Sequence, residues 1–530
     1  MITSTGARPT RREIQLVIAA SSLGAVFEWY DFFLYGTLAG LFGNLFFPSS
    51  SATTGLLLAL ATFGVGFAVR PIGAVVFGAL GDRLGRKYTF IITITLMGLA
   101  TAAIGALPTF ASIGIAAPIL LVALRALQGF ALGGEYGGAS IYVAEHAPPN
   151  RRGLFTGFTQ ASVPLGLILS LAVSLGTVSV IGEGNWNQWG WRIPFLVSLL
   201  LLAVSLWMRF SLAESPVFVA MKAAGTTARS PLRESFGSWS RTGRIVAALF
   251  GISAGQAVIG YTALFQVMLF LQHALHVEPT RARLIAIAGG CAGVLLYLGG
   301  GILSDRVGRK RPTIVGYALI ILLLFPLFHY MARQANPALA KAVAGNPVVV
   351  TGSDCSFNPF ASGEQATACG RLIDQLSKQG IAYSKIEATA GEAPFVTIGG
   401  VVVNAGDSVA LAMQLRLAGY VLDPVTPPFR SALLIVLALI GLYALSALAY
   451  GPMAAWLVEL FPARVRYTSL SIPYHFGVGY AGGFLPFISQ YIIAKTGDPF
   501  AGLWYVIGVV TLALVVTVFF LPETSGNKLD

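Results

Sequence analysis

Charged side chains are scarce in this chain of 530 residues: Asp, Glu, Lys and Arg together make up 11%, against about a quarter in a soluble globular protein. That scarcity excludes an ordinary cytosolic enzyme. Cysteine is nearly absent too, with three in all: Cys291 inside an apolar run, Cys355 and Cys369 in a polar stretch. No zinc or iron–sulfur spacing exists, and no metal is expected. No Walker motif is present either, so ATP hydrolysis has no support and no cofactor is implied. The opening MITSTGARPTRRE is polar and is followed by an apolar run too long for a signal-peptide core, so the first helix is expected to remain in the protein.

What abounds is apolar: 55% of the residues are hydrophobic and the mean hydropathy is +0.75. That is more than one water-facing core can hold, which makes lipid the main solvent. Runs long enough to cross about 30 Å of hydrocarbon fall at 14–47, 55–80, 88–107, 113–144, 153–181 and 190–212, then at 245–275, 282–303, 312–334, 430–460, 467–495 and 499–521. The expected architecture is an all-α polytopic membrane protein of twelve transmembrane helices in two six-helix bundles. Its segments are an N-terminal bundle (1–212), a central loop (213–243), three C-terminal helices (244–334), a polar insert (335–428) and a last three helices with the tail (429–530). The net charge of +12 gathers between the runs, as orientation signals do, and is read as topology rather than as a nucleic-acid footprint. Alternate loops carry it, which places both termini in the cytoplasm; Arg281 and Arg283 break the pattern.

The halves repeat one another. GDRLGRK at 81–87 returns as SDRVGRK at 304–310, an offset of 223, whereas the segment holding Glu145, Arg151 and Gly153 matches that holding Glu459, Arg464 and Thr468 at an offset of 314. The excess locates an insertion between the landmarks, where composition independently turns polar, at 335–428. PVVVTG and FVTIGGVVV read as strands, ATACGRLIDQLSKQG and DSVALAMQLRLAGY as amphipathic helices, giving a small α/β module on the extracytoplasmic face. In that compartment a structural Cys355–Cys369 disulfide is favoured over two free thiols, and over a catalytic redox pair, which usually takes CxxC spacing.

An Asp beside basic residues at a helix end can pair with a neighbouring helix and its dipole, and release it in another conformation. Asp82, Arg83 and Arg86, with Asp305, Arg306 and Arg309, therefore read as a cytoplasmic gate; a mere topology signal does not account for the repeated Asp.

With that duplication, the chain resembles the major facilitator superfamily. FEWYDFFLYG (27–36), VRPIGAVVFGALGDRLGRK (69–87), RALQGFALGGEYGGA (125–139) and LPET (521–524) narrow the resemblance to its metabolite:proton symporter family. The resemblance implies a proton-driven importer of small polar metabolites in a bacterial inner membrane, working by alternating access; the sequence does not supply the oligomeric state, and a monomer is expected. Two departures stand out: the insert, and His475 where the family pattern has Asn.

Charges inside a membrane span are costly and mark a pathway or a buried pair. Glu28, Asp31, Arg70, Arg125 and Glu135 all lie within N-terminal apolar runs. Three acids face two arginines, so not every acid has its own cation, and proton coupling is assigned to Glu28, Asp31, Arg125 and Glu135. The bland alternative is a set of static ion pairs. Arg70 is assigned to a substrate carboxylate, although the two arginines' roles are interchangeable. In the second half Gln256, Tyr261, Gln266, Tyr474 and His475 offer hydrogen bonds without fixed charge, suited to a polar ligand held between two bundles. The reading is a symporter, not an enzyme, taking a small organic acid and protons across a lipid bilayer. A proton-driven exporter and a receptor using the module are the alternatives.

Overall fold

The computed structural model describes residues 11–48, 52–84, 86–210, 223–224, 231–356, 358, 365–389, 392–404, 407–527 and 529. Side chains are described from Ser22 onward, and not at 52–53, 79, 81–87, 90, 209 and 378.

The first half comprises α1 (Arg11–Thr37), α2 (Ala39–Phe46), α3 (Ala52–Ala68), α4 (Arg70–Leu84), α5 (Arg86–Ala106), α6 (Ala116–Leu132), α7 (Tyr136–His146), α8 (Arg152–Asn185) and α9 (Arg192–Phe210). The second comprises α10 (Trp239–Ala274), α11 (Pro279–Val307) and α12 (Lys310–Ala335), followed by the polar module and then α16 (Phe429–Leu460), α17 (Arg466–Thr496) and α18 (Leu503–Phe520). Among the described residues nine helical stretches are long and apolar enough to cross a membrane, with shorter apolar helices at Ile91–Ala106 and Arg192–Met208. With no water in hydrocarbon to satisfy the backbone, continuous helices are what such runs must form.

Three expected runs are interrupted. The first breaks at Leu38, the second at Val69, and the fourth at residues 133–135. The last two breaks face each other, because glycines let the backbones meet. A Cβ at Gly129 would collide with the Gly66 carbonyl oxygen, and one at Gly133 with the Arg70 carbonyl oxygen. The glycines of GFALGG thus serve close packing of α6 on α3 and α4, and they bring Arg70 and Glu135, each at a break, to the same depth.

The module lies between α12 and α16, at the end of those helices remote from Arg309 and Glu459. It contains α13 (Pro337–Gly345), β1 (Val348–Gly352), α14 (Ala368–Lys378), β2 (Ser384–Glu387), β3 (Phe395–Ile398), β4 (Val401–Asn404) and α15 (Ser408–Leu417). Its sheet runs β2-β1-β3-β4, with β1 parallel to β2 and antiparallel to β3. Side-chain oxygens of Asn336, Thr367 and Asp407 accept backbone N–H groups at the starts of α13, α14 and α15, each cap contributing about 1 kcal/mol. Val350, Ile373, Leu376 and Ile398 are buried in its core, which also takes in Leu57 of α3 and Ala494 of α17. The Tyr383 hydroxyl donates to the Ala494 carbonyl at 2.9 Å, and the Lys385 ammonium to the Lys495 carbonyl at 2.7 Å. The module is therefore fastened to the end of α17.

Because Gly129 has no room for a side chain, Gly129→Val is expected to lower stability by about 1–3 kcal/mol, as overpacking does. A thermal unfolding midpoint in detergent equal to that of the wild type would contradict the packing described.

Candidate functional site

Two constellations stand between the halves: a charged cluster at the ends of α8, α11, α12 and α16, and a mostly aromatic chamber around Arg70.

In the charged cluster, α8 begins beside α11, where Gly153 and Gly301 allow the two backbones to touch. Asp305 uses this approach. Its carboxylate accepts the Gly153 N–H at 2.7 Å and the Leu154 N–H at 2.8 Å, capping the positive end of α8 from the other half. Arg309 donates to Asp305 at 2.7 Å and to the fully buried Glu459 carboxylate at 3.0 and 3.2 Å. Arg152 of the first half reaches Glu459 at 3.5 Å, and Thr524 donates to it at 2.9 Å. A second cross-half pair joins Arg466 to Glu145 at 3.2 Å. One offset of 314 relates Glu145 to Glu459 and equally Arg152 to Arg466, so the internal repeat makes the two pairs reciprocal.

Sequence reasoning used Glu145 and Glu459 as landmarks but did not count them, Arg152 or Arg466 as functional. A strict 314 offset would have matched Arg152 with Arg466, where the looser alignment took Arg151 with Arg464. Arg306 is exposed and forms no ion pair among the described residues, because it points away from the face on which Asp305 and Arg309, one turn apart, meet. The side chains of Asp82, Arg83 and Arg86 lie outside the described residues.

The LPET motif closes the cluster. Glu523 accepts the N–H groups of Arg309 at 2.9 Å and Lys310 at 3.0 Å, capping α12. Partial burial raises its pKa, but backbone N–H donors from Arg309, Ser525, Lys310 and Thr524 outweigh that and hold it below the ordinary carboxyl value.

In the chamber, Arg70 is 1% exposed and Arg125 fully buried. The Arg70 guanidinium lies 3.9 Å from the Phe67 ring centre and 4.3 Å from that of Phe32, and Arg125 lies 4.4 Å from the same Phe32 ring. Ring faces attract cations but do not neutralise them. Nε and Nη2 of Arg70 have no hydrogen-bond partner. Around Arg70 stand Tyr261, Tyr474, Tyr450 and His475 of the second half. Tyr474 stacks on Tyr136 of α7, ring centres 3.5 Å apart. Gln256 and Gln266 are buried on α10 to either side of Tyr261, without a hydrogen bond to Arg70. Tyr136 and Tyr450 were missed, since nothing in the sequence distinguishes them from interfacial tyrosines.

The acids lie to one side. Thr93 donates to Glu135 at 2.6 Å, Arg125 donates to Gln128 at 2.7 Å, and Gln128 donates to Thr101 at 2.7 Å, next to Asp31. No ion pair joins Asp31 or Glu135 to Arg70 or Arg125 among the described residues. For these two acids, the alternative of static ion pairs is not what the structure holds; Thr101 and Gln128 stand between Asp31 and Arg125, and Glu135 is met by Thr93. Glu28 lies one turn from Asp31, within electrostatic reach of Tyr474. A crevice of about 10 Å³, near the size of one water, reaches Glu28 and Asp31 from between α1, α5 and α9.

A larger cavity of about 330 Å³ opens elsewhere, between the module and the ends of α2, α3, α10 and α17, lined by Asn44, Leu57, His273, Ser377, Tyr383 and Gln490. Phe265 of α10 packs against Phe33 and Phe63, with ring centres 5.2 and 5.4 Å away.

Comparison with known proteins points to membrane transporters. Residues 16–246 match the family described as Sugar (and other) transporter. The inner membrane metabolite transport protein YhjE of Escherichia coli is 31% identical over 511 residues, covering 94% of this chain and 93% of that protein. The proline/betaine transporter of Salmonella typhimurium is 37% identical over 324 residues, 60% of this chain, and the match spans only 64% of the relative's length. The shikimate transporter of E. coli is 39% identical over 319 residues, 59% of this chain and 72% of that protein. A crystal structure of a D-xylose–proton symporter superposes with a TM-score of 0.60 at 17% identity, covering 97% of this chain and all of that one, a likeness of fold alone.

Removing one partner of a buried pair costs about 3–5 kcal/mol. Glu459→Gln is therefore expected to loosen the start of α8 from α11: a thiol placed at buried Ser304 should label with a water-soluble maleimide about tenfold faster in that background, and unchanged labelling would contradict the tie. Glu523 behaves differently. Its carboxyl is held below its ordinary value of 4.5, so its contribution is present above that pH and is lost as pH falls through the lower, folded value. The gap in Tm between wild type and Glu523→Gln should accordingly be constant from pH 8 to 6 and close on acidification below 4.5.

Proposed function

The chain belongs to the major facilitator superfamily, within its metabolite:proton symporter family, and on that premise we propose that it is a proton-coupled symporter importing a small organic acid or related polar metabolite. The protein is a multi-pass membrane protein whose relatives are transporters. In this reading α1, α5 and α9 join the nine long apolar helices to make twelve spans. Both termini and the charged cluster face the cytoplasm of a bacterial cell, the module faces outward, and the functional unit in the inner membrane is the monomer.

The observation that carries the proposal is Arg70: a cation enclosed between the halves, held by ring faces, with two guanidinium nitrogens unpaired and tyrosines of the opposite half around it. A buried guanidinium in this state is complementary to a carboxylate, which it can grip through paired N–H groups. Tyr261, Tyr474 and His475 supply neutral hydrogen bonds to the rest of a small polar molecule, with Gln256 and Gln266 along the same wall. Proton coupling falls to Asp31, with Glu28 and Glu135 as its neighbours. Asp31 has an unpaired buried oxygen and reaches Arg125 through Thr101 and Gln128, so its charge state bears on the cation beside Arg70. Asp305, Arg309, Glu459 and Arg152 hold the cytoplasmic side shut until the halves rock apart, with Asp82, Arg83 and Arg86 as the counterpart set.

Purified protein in liposomes under an inward proton gradient should accumulate one class among radiolabelled mono-, di- and tricarboxylates, shikimate, proline and betaine, and a protonophore should collapse the accumulation. Asp31→Asn is expected to abolish accumulation while sparing exchange of bound substrate, and Arg70→Gln to abolish both. Full proton-driven accumulation by Asp31→Asn would remove Asp31 from the coupling, while proton release on adding substrate from the other side would identify an exporter.

A further inference from the structure

The module between α12 and α16 has the order strand, helix, strand, hairpin and helix, on a sheet running β2-β1-β3-β4. This order brings the end of β1, a central strand, and the first turn of α14 to one rim of the sheet, and both cysteines of the module are there. Cys355 stands three residues past Gly352, where β1 ends, and Cys369 is the second residue of α14; the two are bridged, with Cα atoms 4.8 Å apart. Their separation of 14 positions hid this, because CxxC spacing is only the commonest way to bring two sulfurs to a helix start. A cysteine opening the helix of a βαβ unit is placed as in thioredoxin-like redox motifs, where the free N–H groups of the first turn stabilise a thiolate.

Further observations distinguish the pair from a bridge that only staples a loop. The sulfurs are unequally presented: Cys355 is half-buried and Cys369 is 1% exposed. Both lie against bare backbone. A Cβ at Gly352 would come 2.9 Å from the Cys369 sulfur, 3.1 Å from the Cys355 sulfur and 2.9 Å from Cβ of Pro394, just before β3. A glycine at the end of β1 and a proline from the neighbouring strand's approach thus form a closely fitted floor under the two sulfurs. The module also has other means of cohesion, with a core of Val348, Val350, Leu372, Ile373 and Leu376 around β1 and α14, and a Thr367 cap on α14.

We propose that Cys355 and Cys369 form a thiol–disulfide exchange centre whose co-reactant is a low-molecular-weight thiol and its disulfide. In the reducing direction the external thiolate attacks the Cys355 sulfur, the more exposed of the two. A mixed disulfide forms on Cys355 as the Cys355–Cys369 bond breaks, and the Cys369 sulfur leaves as a thiolate at the first turn of α14, then takes a proton from water. A second external thiolate attacks the external sulfur of the mixed disulfide, which releases Cys355 and forms the external disulfide. Two external thiols lose two electrons and the protein bridge gains them. In the oxidising direction Cys355 is the nucleophile toward an external disulfide and Cys369 resolves the mixed disulfide. This activity is independent of the transport assignment and goes beyond it.

The test uses the full chain in detergent with Cys291→Ser as background, reduced, and challenged at neutral pH with oxidised glutathione. Bridge formation is followed by alkylation and intact mass. The folded protein is expected to close its bridge about tenfold to a hundredfold faster than the same chain unfolded in guanidinium, since the fold holds Cys369, at a helix start that favours its thiolate, beside the mixed disulfide it resolves on Cys355. Cys369→Ser should accumulate a glutathione adduct on Cys355, and Cys355→Ser should form one on Cys369 at least about tenfold more slowly, the order that exposure sets. A folded rate no greater than the unfolded one would reduce the pair to a structural staple and overturn the proposal, as would equal reactivity of the two single variants. If Cys369→Ser does not fold, the ratio of folded to unfolded rates decides alone.

Discussion

A carboxylate buried where no water can reach it must be met by protein donors, and Glu459 is met from both halves of the chain at once. Arg309 supplies two hydrogen bonds from its own half, Arg152 an ion pair from the other, and Thr524 a hydroxyl from the tail. Removing any donor leaves charge in a medium that penalises it by several kcal/mol, so the elements carrying those donors are held in register. Asp305 adds a directional component, because it accepts the N–H groups that open α8, which a helix axis presents in one orientation only. The tie is strong through desolvation and cheap to exchange for water, a combination that suits a contact made in one conformation and broken in another.

Arg70 and Arg125 face the opposite condition: two cations are enclosed with no carboxylate in contact. Aromatic faces and a few neutral oxygens are what the N-terminal half offers them, while Asp31 and Glu135 are kept aside by Thr93, Thr101 and Gln128. Such an arrangement is poor as a structural device, since an apolar pair of equal volume would stabilise the bundle better. Its physical merit is responsiveness, because the charge on Asp31 and the presence of an anion beside Arg70 act on the same local field. The facing irregularities at Val69 and at residues 133–135 place these groups side by side, where the glycines let the backbones meet.

Fold class was legible in the sequence because lipid imposes continuous apolar runs, and the turn to polar composition after α12 marked the stretch in which the small sheet stands. Helix breaks were overlooked although their signals stood in the sequence, Pro71 two residues after Val69 and Gly36 and Gly40 on either side of Leu38. Of the candidate site, the intramembrane charges could be found one by one, yet their pairing could not. Three acids and two arginines in neighbouring runs predict salt bridges unless the small hydroxyl and amide groups between them are known. The reverse held at the charged cluster: Arg306 looked equivalent to Arg309, and only helical phase separates the exposed group from the buried one. Tyr136 and Tyr450 matter through stacking and position, properties that composition does not encode.

The module joins α12 to α16 while both helices stay continuous. The chain leaves α12 at Ala335 and returns to α16 at Phe429, and on the way Val425 pairs with Val277 beside the start of α11, so both ends of the module are pinned to the same helical group. From there the module spreads over α17, where Tyr383 and Lys385 bind the carbonyls of Ala494 and Lys495. Lys385 also donates to the Cys355 carbonyl at 3.4 Å, which places the disulfide one side chain from the end of the helix that carries Tyr474 and His475. Toward the first half its core takes in Leu57 alone among the described residues. If the halves separate on that face, the module must stay with α17 and part from α3, because polar ties hold the first contact and apolar packing the second. The 330 Å³ cavity lies along that seam, so its walls belong to both parties to the motion, and its shape depends on the conformation in which the charged cluster holds the opposite end.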